Sequence, residues 1–590
     1  MGLSCSTQSR DSIQFVHTMQ YPMNVVKVSD FLKIPGIPGT YQKLRRQGFL
    51  HEWTPGMFVV FISHQWLGFD HPDPFGQQIE VLRQGLQGLI DGSTKVEHNV
   101  IGQLYGVPTD MSEEERQNLA EGYIFMDAFS LPQVFGTDSL DLSMEMSNQT
   151  EAASAVQSIP AYVERCDLFI VLAPDLNHAD TGERCNYTTW LSRGWCRAEL
   201  WYRTLSNRPN TSVIVLLSPV EAESMFFLEK YCKRIYDADF TVEADRSILV
   251  QLGEAATKKK IKHLKDTVEA RHWYRYFVAF QNRWIGLPPK KRTLDAFLEE
   301  FQFQHLQDAV SGGNKMFGLL CAVLAGDTDM VELLVKSSAD VNSQVFGLSE
   351  MGYYPGVTPL MVATISNQTG DMIAKLISLK SDVHAKSWMG VTAACLALST
   401  QQVEVLWSAQ ADFHSANLPA GLHPTTAAAS FSQTEVVAEL LKRNCDANPD
   451  LSGLGWGPLH GAALFSRGHS ADALERSRLL IAHKADVNRP AKSTMIFHLL
   501  CMSSQVRAAL FGFESCSTRT RFWASLPGLT PLGVAATAGD EALVKFLLQS
   551  GARNVPNDRG DLPADLALAN GHKHVHDLLN TLNTSTSLSL

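Results

Sequence analysis

Nowhere does the chain carry an apolar run of the roughly 20 residues that a membrane-spanning helix requires, nor the layout of a secretory signal. Its 10 cysteines are scattered without regular pairing, which excludes a disulfide-stapled scaffold and points to a reducing, cytoplasmic setting. A basic excess is missing too. Lys and Arg number 50 against 61 Asp and Glu, for a net charge of -11, which argues against a nucleic-acid partner. Metal-ligand spacing is also absent, since the gaps among His178, Cys185 and Cys196 match no zinc pattern. Neither a metal nor a resident cofactor is expected.

What is present is length. A chain of 590 residues is too long for one hydrophobic core, so several domains or a repeat array are required. The opening "MGLSCSTQSR" places Gly2 behind Met1 and Ser6 four positions later, the pattern of N-myristoylation, with Cys5 as a candidate for a second acyl group. Residues 1–20 are thus read as a flexible, lipidated start giving peripheral membrane attachment, which one acyl chain alone would hold only marginally. The alternative is a chance coincidence of small residues.

The carboxy-terminal half repeats itself. "GVTPLMVATISNQTGDMIAKLISLKSDVHAKS" from Gly356, "GVTAACLALSTQQVEVLWSAQADFHSA" from Gly390, "GLHPTTAAASFSQTEVVAELLKRNCDANPD" from Gly421, "GWGPLHGAALFS" from Gly455 and "GLTPLGVAATAGDEALVKFLLQSGARNV" from Gly528 share one plan. A Gly-x-Thr-Pro turn opens a short helix, and a second apolar-periodic helix ends in an Ala-Asp-Val-Asn-like turn. Asp340, Asp382, Asp412, Asp446 and Asp486 mark those turns at intervals of 42, 30, 34 and 40 residues. The units resemble ankyrin repeats, about seven of them over 315–582, with the stretch from Ser493 to Gly528 read as a degenerate repeat bearing an insertion. The resemblance implies an all-α solenoid that binds protein partners on its concave face. His572, His574 and His576 are read as the polar outer side of a capping repeat, and 583–590 as a disordered tail.

Residues 21–219 alternate short apolar runs with helical patterns. "MFVVFISHQW", "GYIFMDAFSLPQ", "DLFIVLAP" and "TSVIVLLSP" read as four buried parallel strands. An open α/β sheet follows, with ligands expected at the carboxyl ends of its strands. Residues 220–314, with the aromatic cluster Trp273, Tyr274, Tyr276, Phe277 and Trp284, read as a helical connector.

Phe61-Ile62-Ser63 at the end of the first strand, Asp127 after the second, and Trp195-Cys196-x-x-Glu199-Leu200 on the helix after the third carry a resemblance to the Toll/interleukin-1 receptor (TIR) family, over about Trp53 to Pro219. The resemblance implies a flavodoxin-like sheet and, from the enzymatic members, cleavage of the nicotinamide–ribose bond of NAD+ as substrate. Glu199 would then be the catalytic carboxylate, with Ser63, His64, Trp66, Asp127 and Trp195 lining the substrate and self-association through this domain. The long "GFDHPDPFGQQ" loop departs from the family pattern.

Two readings of Glu199 stand open at this point. Arg203 lies at i+4, where a surface ion pair forms, and a helix acid of that kind performs no chemistry. As a scaffold, the protein would act in intracellular signalling through protein binding alone; as an enzyme, it would be an NAD+ glycohydrolase regulated by its repeats.

Overall fold

The computed structural model describes residues 14–98, 111–132, 142–208, 212–225, 235–312, 315–450, 453–466, 470–513, 516 and 518–587. Gly2 and Cys5 lie outside them. The chain divides near Pro288 and Pro289 into two compact units.

The first unit is built on an eight-stranded sheet. Its strands are β1 (Asn24–Lys27), β2 (Leu50–Glu52), β3 (Val59–His64), β4 (Val96–His98), β5 (Tyr123–Met126) and β6 (Leu168–Leu172). A separate pair, β7 (Leu176–Asn177) and β8 (Arg184–Cys185), precedes β9 (Ile214–Ser218) and β10 (Glu221–Ser224). The order across the sheet is β2-β1-β5-β3-β6-β9-β10-β4. The four central strands β5, β3, β6 and β9 are parallel, in the doubly wound order that puts a switch point between the ends of β3 and β6.

The sheet as a whole is mixed, which corrects the expectation of an all-parallel one. β1 runs antiparallel to both β2 and β5, and β10 antiparallel to β9. Only Pro219 and Val220 separate β9 from β10, and two residues cannot make a parallel crossover.

Alternation along the strands sorts the two faces. Val60, Ile62, Ile124, Met126, Ile170 and Leu172 form one apolar layer with Ile79, Leu82, Leu86 and Leu89 of the helix Gln77–Asp91. Each such fully buried side chain contributes about 1.5–3 kcal/mol. On the opposite face Phe61 stacks between Phe125 and Phe169, at 5.2 and 5.1 Å. The Asp73 carboxylate starts the helix Gln77–Asp91 by accepting from the backbone N–H of Gln77 and Ile79 at 2.9 and 2.8 Å. This fixes Gln78 in the first turn. Downstream, the helix Gly194–Leu205 packs beside the helices Ala244–Leu264 and Arg271–Trp284, where Trp201 stacks on Trp284 and its indole donates to Thr257 at 3.1 Å.

The second unit is a helical array whose described residues hold seven helix pairs, with the helices Met495–Phe511 and Thr518–Ser525 between the fifth and the sixth. The pairs are Gly318–Ala325 with Thr328–Lys336, Pro359–Ile365 with Gly370–Ser378, the 3-10 turn Ala393–Leu396 with Thr400–Ser408, and Pro424–Phe431 with Thr434–Lys442. Pro458–Leu464 with Ser470–Ala482, Pro531–Ala538 with Glu541–Gln549, and Pro563–Ala569 with Lys573–Ser587 complete them. Thr358 and Thr530 cap the helices that Pro359 and Pro531 begin. Gly356, Gly390, Gly421 and Gly528, which open the repeats, all hold φ between +64° and +78°, a region that disfavours side chains with a Cβ.

Asparagines stitch neighbouring turns together. Asn342 Nδ2 donates to the Lys380 carbonyl and Asn342 Oδ1 accepts from Asp382 N–H. Asn448 does the same to Lys484 and Asp486, and Asn488 to Gly551 and Arg553. The last link spans the helices Met495–Phe511 and Thr518–Ser525, so the repeats on either side of that segment are bonded directly to each other.

Candidate functional site

Ser63 and His64 close β3, and because consecutive side chains leave a strand on opposite faces, they reach opposite sides of the sheet. Ser63 points with Phe61 toward the helix Gly194–Leu205, where its hydroxyl donates to Glu199 Oε2 at 2.5 Å. The Trp190 indole N–H in turn donates to Ser63 Oγ at 3.1 Å. His64 points with Ile62 toward Gln78, whose Oε1 lies 2.9 Å from His64 Nδ1. Ile62 pairs with Met126 across β3 and β5, so Asp127 comes next to His64, with Asp127 Oδ1 2.7 Å from His64 Nε2. The Trp66 indole donates to Asp127 Oδ2 at 3.3 Å. The residues read from the sequence therefore gather at the carboxyl ends of the parallel strands in two groups, Ser63 with Glu199 on one face of the sheet and His64 with Asp127 and Trp66 on the other.

Geometry sets the protonation states. Gln78 Nε2 donates to the Gln65 carbonyl at 2.9 Å, which turns its Oε1 toward His64. Both imidazole nitrogens thus face acceptors, the arrangement of an imidazolium. Burial alone would lower the His64 pKa, but the Asp127 charge and hydrogen bond, with help from Gln78, raise it. Burial likewise opposes ionisation of Asp127, yet His64 holds that carboxyl below its usual range. The His64 side chain is 1% exposed and that of Asp127 is 32% exposed, so the ion pair opens to solvent on the carboxylate side.

Glu199 behaves differently. Burial, and then the charge of Asp127, push its pKa up to about 8, against the opposing hydrogen bond from Ser63 and the charge of His64. Near pH 7 it carries a proton, and a modest change in its surroundings switches it between acid and carboxylate.

The surface ion pair between Glu199 and Arg203 is overturned. Both side chains are buried, and Arg203 directs its guanidinium to the carbonyls of Cys166 and Asp167, each at 2.9 Å. Trp195 is also placed apart from the cluster. It is half-buried, and its indole donates to Asp245 at 2.9 Å, because Cys196 and Glu199 take the inward face and Trp195 stands a step around the helix. Cys196 Sγ contacts the His64 carbonyl at 3.6 Å.

Gln78 and Trp190 escaped the sequence reading. A glutamine at the start of a helix and one tryptophan of two near each other give no signal until the strand ends are placed. The long loop after β3 is docked on the segment between β7 and β8: Phe69 N–H donates to Asp180 at 2.8 Å, and Ala179 N–H donates to the Leu67 carbonyl at 2.6 Å. In the repeats, His460 is structural. It accepts from Gly457 N–H and faces the Leu529 carbonyl at 3.0 Å, and burial lowers its pKa to about 4. The reading of three outward histidines is corrected at His572, which is buried, while His574 faces the Gly539 carbonyl and His576 pairs with Asp577.

The ankyrin repeat family model matches residues 319–344 and 527–561. The chain carries ankyrin repeats, and such repeats imply binding to other proteins. Among solved structures, the ankyrin repeat domain of Bcl-3, described as a unique member of the IkappaB protein family, is similar at 21% identity. That match covers 46% of this chain and 99% of that one, with a TM-score of 0.29. The human ASB11 ankyrin repeat domain is similar at 18% identity over 44% of this chain and 96% of that one, with a TM-score of 0.31. A comparison with curated proteins gives no match. No described helix is long and apolar enough to cross a membrane.

Proposed function

We propose that the first unit is a TIR-like domain that hydrolyses the nicotinamide–ribose bond of NAD+ with Glu199 as its catalytic carboxylate, and that the ankyrin array delivers this activity to a protein partner. The observation that carries the reading is the burial of Glu199 at the switch point, bonded to Ser63 and within electrostatic reach of the His64–Asp127 pair. A carboxylate there stabilises the oxocarbenium-like ribosyl centre as neutral nicotinamide departs with the bonding electrons. Water then adds to the ribosyl carbon and releases a proton. Because Glu199 is protonated near neutral pH, approach of the cationic nicotinamide ring favours its ionisation, coupling binding to activation. Self-association through this unit belongs to the same proposal, as does attachment of a cytoplasmic protein to membranes through acyl groups on Gly2 and Cys5.

The mutual satisfaction of Glu199, Ser63 and Trp190 supports a second reading, in which the cluster stiffens a non-catalytic interaction module and the protein is a signalling scaffold. Nicotinamide release separates the two: clustered wild-type protein liberates nicotinamide from NAD+ and Glu199→Gln does not, if Glu199 is catalytic.

A further inference from the structure

The helix Met495–Phe511 is apolar on both of its faces, and among the described residues one of them is covered and the other is exposed. Phe497, Cys501, Ser504 and Ala508 are buried at helical spacing, where Phe497 stacks on Trp523 at 5.9 Å and Gln505 donates to the Ala524 carbonyl. On the other side Ile496, Leu499, Met502, Val506, Leu510 and Phe511 are between 49% and 73% exposed. A helix that is hydrophobic all round is ordinarily buried all round, and a contiguous apolar stripe of this size marks an interface.

We propose that this stripe is a homodimer interface, in which the helix packs antiparallel against the same helix of a second copy. Spacing is the first argument. Around Ser503 the exposed apolar residues fall seven and four positions before it and three, seven and eight after it, with Met502 beside it. The pattern reads almost alike from either end, which is what a two-fold interface requires. Ile496 meets Leu510 of the second copy, Leu499 meets its Val506, and the small Ser503 occupies the crossing point, where close approach needs little side chain.

Charge and area agree. Arg507 is the single charged residue from Met495 to Phe511, so no acidic or basic complement from a different partner is called for. Each of the six is exposed by about half or more, and together they present an apolar surface of several hundred Å² per copy. That is on the order of the ~800 Å² each partner supplies to a standard interface. The inference stands apart from the proposed chemistry of the first unit, since all of its residues lie in the repeat array.

The test uses the full chain. Sedimentation equilibrium at about 10–50 μM should give a dimer for the wild type and a monomer for Leu499→Glu combined with Leu510→Glu, with unchanged far-ultraviolet circular dichroism. Ser503→Cys should form a disulfide-linked dimer under mild oxidation that the wild type does not. A monomeric wild type overturns the proposal, as does a dimer that survives the double substitution. Failure of Ser503→Cys to cross-link likewise contradicts it. Flotation of the wild type with lipid vesicles, abolished by the same double substitution while its mass stays monomeric, would make the stripe a membrane surface instead.

Discussion

Ser63 Oγ donates a 2.5 Å hydrogen bond to Glu199 Oε2, joining the end of β3 to a helix 136 residues further along the chain. The bond places a hydroxyl donor on a buried carboxyl whose pKa is already raised to about 8, and it is one of the two interactions that oppose that rise. Ser63→Ala should therefore move the Glu199 pKa higher still and shift the alkaline-side gain in NAD+ cleavage to higher pH. It also leaves the Trp190 indole without its acceptor at Ser63. The cost to folding should be about 1–3 kcal/mol, the range for orphaning a buried polar group, read from urea denaturation.

Asp127 is the main influence raising the His64 pKa against the effect of burial. Asp127→Asn keeps the shape and a hydrogen-bonding atom but removes the charge, so the His64 pKa should fall. The imidazole proton resonances, followed by NMR across pH 4 to 9, give the midpoint directly. A midpoint unchanged by the substitution would contradict the pairing.

Glu199 also makes a statement about stability. Its folded pKa of about 8 lies above the ordinary value of 4.5, so between those values the folded protein holds a proton that the unfolded chain has released. Stability must then fall as pH rises through that window. The raised pKa of His64 acts in the same direction, its contribution being present below pH 6.5 and lost as pH passes its folded value. The difference between wild type and Glu199→Gln isolates the carboxyl: the variant should lose less stability than the wild type between pH 5 and pH 8, measured by denaturation at each pH.

The repeats make a prediction of their own. Asn448 bridges two neighbouring repeats through Lys484 and Asp486, at 2.8 and 2.7 Å. Asn448→Ala should lower stability by about 1–2 kcal/mol, since each such bond is worth roughly 0.5–1.5 kcal/mol net. Thermal melting of the full chain should show the loss in the array's transition with the chemistry of the first unit unchanged.

Much of this was legible in the residues because the signals were local. Thr358-Pro359 and Thr530-Pro531 announce helix starts by their own chemistry, and the run Val59 to Ile62 announces a buried strand. The position of Ser63, His64 and Asp127 follows once strand ends are known, since those ends are where ligands gather in such sheets. The fate of Glu199 was not legible, because an acid with a base at i+4 reads as a surface pair. What decides it is the tertiary burial of the whole helix and the carbonyls of Cys166 and Asp167 that claim Arg203. Trp190 gave no signal for the same reason: the helix motif marks Trp195 by sequence adjacency, which carries no information about which indole faces β3. The antiparallel strands β1, β2 and β10 were missed because strands of three and four residues have too few side chains to show a period.

The measurement that tests the account most directly is nicotinamide release from NAD+ by the full-length protein, clustered or membrane-bound, comparing wild type with Glu199→Gln between pH 6 and pH 9. The account predicts release by the wild type that rises with pH through a midpoint near 8 as Glu199 ionises, and a rate at least about a hundredfold lower in the variant at the alkaline end, the loss typical of removing one electrostatic contact from a transition state, with the gap narrowing toward pH 6 as the wild-type carboxyl takes up its proton. Equal rates in the two proteins at the alkaline end, or no release by folded wild type, would contradict it.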